Sequence, residues 1–314
     1  LLKDEVTIGN KKGKAWVDES ITELKSMPNV IVKNRSQVFG YYDHNMMAMC
    51  ERTRDHIEKP NEFTPRQRLW YIRAKEVIIS TGSIERPLVF GNNDRPGVML
   101  ASAAKEYIKI YGVLVGKKPI IFTNNDTGYD TAIDFKKNGI DPLVLDIREN
   151  CESSVVKEAK NLNINIKFSS GVVNAVGYKK VNSAVIGKLN KEKSGYENLE
   201  KVACDCICIS GNWTPTVHLS SQSGNKLKFD EKINAFIPNK SKQNENTIGA
   251  ANGSVTLKNT LEEGFIKGYD LSKKITGKDS KISTPTSNER NYGQQDKFWC
   301  MPLPKNKNYK RCVD

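Results

Sequence analysis

Apolar residues in this chain fall into short runs, and the runs alternate between two kinds of pattern. Lys75-Glu76-Val77-Ile78-Ile79-Ser80-Thr81, closed by Gly82, has a continuous apolar centre and predicts a strand covered on both faces. After the Arg95-Pro96-Gly97 turn, residues 101–111 carry apolar positions at helical spacing and predict a helix. Pro119-Ile120-Ile121-Phe122 reads as a buried strand and residues 131–137 as part of a helix with Gly139 as its C-cap. Pro142-Leu143-Val144-Leu145 reads as a second strand, ending at Asp146. Strand, helix and strand within about 30 residues form a βαβ unit, whose right-handed crossover implies a parallel sheet.

The alternation continues with a helix over 155–160, a strand over 163–168 and a hairpin over 171–189. Residues 196–200 then lead into the apolar run Val202-Ala203-Cys204-Asp205-Cys206-Ile207-Cys208-Ile209, which ends at Ser210-Gly211. Upstream, residues 12–60 read as short strands and turns with a helix near 20–27. Residues 272–290 have the Lys, Ser, Thr and Asn content of a linker, and Phe298-Trp299-Cys300-Met301-Pro302 begins a new segment. The fold class is α/β.

Composition narrows the function classes. The hydrophobic share of 38% suits a globular protein, and no apolar run reaches the roughly 18 residues needed to cross a bilayer. Leu1-Leu2-Lys3-Asp4-Glu5 has no signal-peptide pattern, which makes the cytoplasm the expected location. The net charge of +13 raises nucleic-acid binding. Against it, most of the basic residues are scattered lysines, and no nucleic-acid module is present; eight of the eleven arginines lie between Arg35 and Arg95. Cys204, Cys206 and Cys208 alternate, so on one strand all three would share a face. Without a second ligand pair they read as buried apolar thiols before a metal site. His44, His56 and His218 show neither ligand spacing nor a nucleophile partner.

A dinucleotide-binding βαβ unit needs glycines for the tight turn, for approach of the pyrophosphate and for helix packing. Here G-x-G-x-x-G aligns with Thr123-Asn124-Asn125-Asp126-Thr127-Gly128, and the third glycine alone remains. Asn125 would crowd a pyrophosphate and Asp126 would repel one. Asp146 falls near the ribose-binding position, but a strand-end carboxylate is as readily solvated. The loop therefore reads as a retained scaffold. Two other sites join a strand to a glycine turn, Ser80-Thr81-Gly82 and Ile248-Gly249-Ala250-Ala251-Asn252-Gly253. The second is followed by a helix over roughly 256–268, whose amides could face a phosphate. Their order around the βαβ unit is that of a Rossmann-like two-dinucleotide-binding fold, one nucleotide domain interrupting another.

Longer motifs are more specific. Val38-Phe39-Gly40-Tyr41-Tyr42-Asp43-His44-Asn45 resembles the alpha subunits of heterotetrameric sarcosine oxidases. So do Pro65-Arg66-Gln67-Arg68-Leu69-Trp70, Thr81-Gly82-Ser83-Ile84-Glu85-Arg86-Pro87-Leu88-Val89-Phe90 and Asn93-Asp94-Arg95-Pro96-Gly97-Val98-Met99-Leu100-Ala101-Ser102. Thr123-Asn124-Asn125-Asp126, Ser210-Gly211-Asn212-Trp213-Thr214-Pro215-Thr216-Val217-His218-Leu219 and Gln222-Ser223-Gly224 are also similar to that family.

The resemblance implies an oxidoreductase subunit of a complex that demethylates sarcosine to glycine. It implies NAD in the first nucleotide fold and FMN at the interface with a beta subunit. It further implies FAD in that partner, gamma and delta subunits, and tetrahydrofolate in a C-terminal domain. The implied layout is 1–114 as part of the first dinucleotide domain, 115–200 as the inserted second, 201–271 as a return to the first, and 272–314 as linker and start of the folate domain. On this resemblance the family's N-terminal fingerprint strand is expected before Leu1, and the folate domain is expected to be truncated here. An internal segment of this kind is expected to be inactive and marginally stable by itself.

Ala250 stands where flavoproteins of this fold carry an Asp on the ribityl chain, which favours an adenine nucleotide there. The expected cofactor contacts are Thr81, Gly82, Gly249, Ala250, Asn252 and Gly253 through the backbone, with Arg66, Arg68, Arg86 and Arg95 at a flavin phosphate or in structural ion pairs. No residue stands out as acid, base or nucleophile. Three readings compete with this one. The chain could be a purely structural subunit with vestigial sites, or serve a related dimethylglycine, proline or opine enzyme. A free-standing NADH-dependent reductase would need a redox C-x-x-C or a complete flavin fingerprint, and the sequence has neither.

Overall fold

A computed structural model describes residues 6–279, 283–288, 292–293, 295–302 and 309–312. The signal-peptide reading at Leu1 to Glu5 and parts of the 272–290 linker lie outside the described residues. The chain divides into two compact units, the first comprising 1–84 and 215–289 and the second 85–214 and 290–314.

The first unit contains an antiparallel meander of Ser36–Tyr42, Met46–Arg52 and Gln67–Arg73. It also contains a parallel pair, Val77–Ile79 beside Glu245–Thr247. Tyr41, Val77 and Ile79 form its buried cluster, with Met47, Ala74 and Leu219 packed against them. Asn45, 5% exposed and with φ of 52°, ties the meander to the parallel pair. Its side-chain oxygen accepts the Tyr41 hydroxyl at 2.8 Å, and its Nδ2 donates to the carbonyls of Lys75 and Asn244. Its backbone amide donates to Gln243 Oε1 at 2.7 Å. Asparagine tolerates the left-handed conformation while supplying both a donor and an acceptor, which no apolar residue could do. Burial, with help from Glu245 and Glu76, pushes the Tyr41 hydroxyl up to about 12, so it stays a donor.

The helix expected near 20–27 spans Gly13–Ser26. Its start is cryptic in sequence because Lys12, at the N-cap, makes no side-chain cap bond. The later helix runs Leu257–Thr276, entered through Thr256 as N-cap and closed by Gly277 at φ of 70°. It therefore takes up the first residues of the stretch expected to be linker.

The second unit is built on a five-stranded parallel sheet. Its order is Asn165–Phe168, Leu143–Asp146, Pro119–Thr123, Cys206–Ser210, Val98–Leu100. The helices Ala101–Tyr111, Thr127–Lys137 and Ser154–Asn161 pack with Ile121, Val144, Cys206 and Cys208. The other face meets the antiparallel strands Ser170–Gly177, Val181–Leu189 and Tyr196–Ala203 through Ile120, Phe122, Leu145, Ile207 and Ile209. Alternate residues of the central strands thus enter opposite cores, as period-2 geometry dictates. The expected helix at 101–111 and the βαβ unit are both present.

One expectation is corrected. Cys206 and Cys208 share a face, with sulfurs 3.5 Å apart, but Cys204 packs in the opposite core. The strand begins at Cys206, and Cys204 precedes a bend at Asp205. Asp205 itself accepts the amides of Lys117 and Lys118, both at 2.8 Å. That polar anchor breaks the alternation the sequence suggested.

Candidate functional site

In the second unit, the degenerate glycine loop lies where the Pro119–Thr123 strand meets the Thr127–Lys137 helix. Gly128 is required by packing, since a Cβ there would stand 2.7 Å from Thr123 Oγ1. Asn125 replaces what a bound phosphate would provide. Its Oδ1 accepts the Thr127 amide at 2.8 Å and the Thr127 hydroxyl at 2.6 Å, and its Nδ2 donates to Ser210 O at 3.0 Å. The helix N-terminus, an ordinary anion site, is thereby capped from within.

The rest of the loop is covered by the chain itself. Asn124 Nδ2 donates to Phe298 O at 2.9 Å and Asp296 O at 3.1 Å, and the Asp296 amide returns a bond to Asn124 O. Gly293 N donates to Asp126 Oδ2 at 2.6 Å. Asp126 and Asp146 are 1% and 0% exposed, and one guanidinium serves both. Arg148 reaches Asp126 Oδ1 and Asp146 Oδ2 at 2.7 Å each, and the Tyr129 hydroxyl donates to Asp146 Oδ2 at 2.7 Å. Burial would raise the Asp126 carboxyl, but bonds from Ser153, the Gly293 amide and Arg148 hold it below the usual range. Arg148 is pushed above its ordinary value by the same carboxylates despite its burial. Asp146 is therefore neither a ribose ligand facing a crevice nor a solvated strand end. The residues here do not fit a second dinucleotide.

In the first unit, the parallel pair carries both glycine turns at its carboxyl ends, where ligands of open α/β sheets bind. Thr81 Oγ1 donates to Thr216 O at 2.7 Å, and Thr216 N donates to Gly82 O at 2.9 Å. Gly82 has φ of 74°, and a Cβ there would meet nothing within 4 Å, so its backbone borders open space. Gly249, Ala250 and Asn252 form a single 3-10 turn that ends at Gly253, φ 88°. The Gly249 amide donates to Glu263 Oε2 at 2.7 Å, and the other carboxylate oxygen accepts Ser254 Oγ. Gly82 thus leaves room beside its backbone, while Glu263 puts a carboxylate at the Gly249 turn.

The four arginines are dispersed. Arg66 Nε lies 2.7 Å from Asp55 Oδ1, and Arg68 Nη1 lies 4.0 Å from Glu51 Oε2 beside the Trp70 ring. Both sit in the first unit, at or beside the last strand of the meander. Arg86 and Arg95 belong to the second unit. Arg86 Nε donates to Gly211 O at 3.2 Å, with its basicity pulled down by burial. Arg95 Nη1 donates to the carbonyls of Gly177 and Tyr178.

The sequence reading missed two features. Glu85 is 4% exposed and accepts the Ser102 amide at 2.8 Å, at the start of the Ala101–Tyr111 helix. Burial raises its carboxyl despite the bonds from Ser102 and Ser210. Arg148, two residues after the strand-ending Asp146, was the visible clue to the second.

The architecture is a Rossmann-like one shared with solved oxidoreductases. An L-proline dehydrogenase from P. horikoshii superimposes with a TM-score of 0.58 at 20% identity, over 87% of this chain and 46% of that one. The bacillithiol disulfide reductase of Staphylococcus aureus gives 0.58 at 13% identity, over 84% and 77%. In sequence, the chain is homologous with an internal segment of sarcosine oxidase subunit alpha. It is 33% identical to the Rhizobium meliloti (strain 1021) subunit over 282 residues, and 31% identical to that of Corynebacterium sp. (strain P-1) over 264. These alignments take in 88% and 83% of this chain but 27% of each relative, so the chain spans about a quarter of the proteins it matches. No protein-family model matches. Among the described residues no cluster of His, Cys, Asp and Glu could hold a metal, and no helix is long and apolar enough to cross a membrane.

Proposed function

We propose that this chain is the nucleotide-binding core of a sarcosine-oxidase-type alpha subunit, holding NAD and helping to form an FMN site while the amine is oxidised at a flavin in a beta subunit. Gamma and delta subunits complete that cytoplasmic complex. The one-carbon unit passes to tetrahydrofolate in a domain that 272–314 leads into, and 115–200 is the inserted second nucleotide fold. The observation that carries the reading is the pair of glycine turns at one end of the parallel pair, with Gly82 opening onto free space. Thr81, Gly82, Ala250, Asn252 and Gly253 would line the adenine nucleotide. In the reading, NAD is a resident ligand, and this chain's residues position it and exclude water.

Glu263 favours a second reading. Its carboxylate already satisfies the Gly249 amide, as a vestigial site in a structural subunit would have it. The likeness in fold to a proline dehydrogenase keeps other secondary amines in view as substrates. One experiment separates these readings. The full-length chain, co-expressed with its neighbouring genes, is purified and denatured, and the released cofactors are identified by absorbance and mass. NAD and FMN, with a flavin left covalently on a partner, are expected. Flavins without an adenine nucleotide would establish the structural subunit, and the absence of any complex would defeat both.

A further inference from the structure

The meander of the first unit has two unlike faces. Register places Tyr41, Met47 and Ile72 on one, together with Val38, Met49 and Trp70, and Tyr41 and Met47 pack into the buried cluster. The other face carries Gln37, Cys50 and Leu69 in one row and Gly40, Ala48 and Tyr71 in another. On it Leu69 is 52% exposed and Tyr71 71%, and Tyr42, whose ring lies against Gly40, is 47% exposed. These are large apolar groups left in water on a sheet whose reverse side already forms a core.

A groove of about 520 Å³ continues from this apolar strip along the same face. Gln37, Cys50, Arg52 and Gln67 line it together with Arg35, Ser36, Asp55 and His56. Asp55 is paired with Arg66, and Glu51 points to the other face, where Lys33 and Trp70 hold it. Arg35 and Arg52 have no ion pair among the described residues. Glu58 and Glu62 belong to the adjoining loop and do not line the groove. The unbalanced charge of the groove is positive.

Composition marks the same segment. From Arg35 to Arg73 there are six arginines and one lysine, Lys59, in a chain where lysine outnumbers arginine more than threefold. Three of its six methionines and several of its aromatics lie there too. Interface cores enrich Arg, Tyr, Trp, Phe and Met and exclude Lys, whose flexible, strongly hydrated ammonium is costly to immobilise.

We infer that this face is a protein docking surface, and that its occupant is a partner subunit presenting an apolar centre and an acidic rim, with a carboxylate entering the Arg35–Arg52 groove. The inference rests on the reading of the chain as one subunit of an oxidase complex. It goes beyond that reading by naming the surface and the chemistry of the partner's side.

The test uses the full-length chain and its flavin-bearing partner, with affinity measured by calorimetry and on-rates by stopped flow. Leu69→Asp and Tyr71→Asp should each weaken the complex by about 30-fold or more, as central apolar anchors do, while Tyr71→Phe keeps it. Arg35→Glu with Arg52→Glu should slow association about 10-fold at low salt and flatten its salt dependence. Lys228→Glu, on the strand Leu227–Asp230 outside the meander, should change nothing. Thermal melts confirm that each variant folds, and solvent footprinting of the unmutated complex should protect Tyr42, Leu69 and Tyr71. A complex that forms normally with Leu69→Asp and Tyr71→Asp, with these residues still accessible, overturns the inference and leaves the subunit reading standing. An unmutated chain that never binds the partner overturns both.

Discussion

The chain holds two versions of one device, a strand that ends in a tight turn, and it has treated them in opposite ways. In the second unit the turn has lost two glycines and gained Asn124, Asn125 and Asp126, whose side chains satisfy the helix amide, the neighbouring strand, Gly293 and Phe298. In the first unit Gly82 still borders open space, and the Glu263 carboxylate touches the Gly249 turn. Losing a glycine fingerprint is therefore not a loss of polarity. Side-chain amides and carboxylates take over the donors that a phosphate would have used, because buried backbone donors must be paired by something.

The strongest way to break this contrast is at Arg148. Two buried carboxylates depend on its guanidinium, and removing one partner of a buried pair leaves charge uncompensated. Arg148→Met should cost about 3–5 kcal/mol in urea unfolding, and adding Asp126→Asn with Asp146→Asn should recover much of it. A loss below about 1 kcal/mol would mean that the network is solvated and the crevice open. The pH dependence has a definite sign. Asp126 is held below its unfolded value, so its stabilisation is present above about pH 4 and is lost as pH falls through the folded value. Protection of the Gly293 amide, taken relative to the intrinsic exchange rate at each pH, should fall over that acid range and be flat between pH 6 and 8.

The counterpart in the first unit is Asn45, which joins the meander to both strands of the glycine-bearing pair. Asn45→Ala removes three side-chain bonds and puts a Cβ-only residue at positive φ, at a cost of about 2–3 kcal/mol. Hydrogen exchange should quicken in Val77–Ile79 and Glu245–Thr247 and stay unchanged in Pro119–Thr123. Equal loosening of Pro119–Thr123 would show that the two regions do not hold their turns independently.

These residues also show where sequence reading succeeds and stops. The Pro119–Thr123 strand and its neighbours were legible because alternating and continuous apolar runs encode burial directly, residue by residue. The glycine turns of the first unit were legible because a positive φ selects glycine. Asp146 was misjudged, since a strand-end carboxylate looks the same in sequence whether water or Arg148 receives it. Cys204 was misjudged because Asp205 bends the chain using amides about 90 residues away. Both errors concern polar groups whose partners are set by tertiary contact, which local periodicity does not carry.

A smaller effect tests whether the two turns differ in charge as well as shape. Glu263→Gln keeps an acceptor for Gly249 N but removes a negative charge beside the turn, and adenine dinucleotide should bind about 3- to 5-fold tighter. Asn125→Gly in the second unit should create no binding, because Arg148, Gly293, Asp296 and Phe298 still fill the loop. Titration calorimetry on both variants of the full-length chain decides the matter. Binding gained by Asn125→Gly would reverse the assignment of the working site.

The smallest expected effect concerns Glu85, a buried carboxylate of the second unit that is not matched to a guanidinium. Burial raises its folded value above the unfolded one, so the protonated form is the one that the fold prefers. Its stabilising contribution is complete below about pH 4 and is lost as pH rises through the raised value. Glu85→Gln should therefore be about 1 kcal/mol more stable than the parent chain at pH 8, with the gap closing towards pH 4. The Gln carbonyl can still accept the Ser102 amide, so geometry is preserved. If instead the parent is the more stable at pH 8, the Glu85 charge is being used by the start of the Ala101–Tyr111 helix and by Lys105. The second unit would then keep an uncommitted electrostatic site at that helix, and the contrast between a closed and an open unit would have to be redrawn around it.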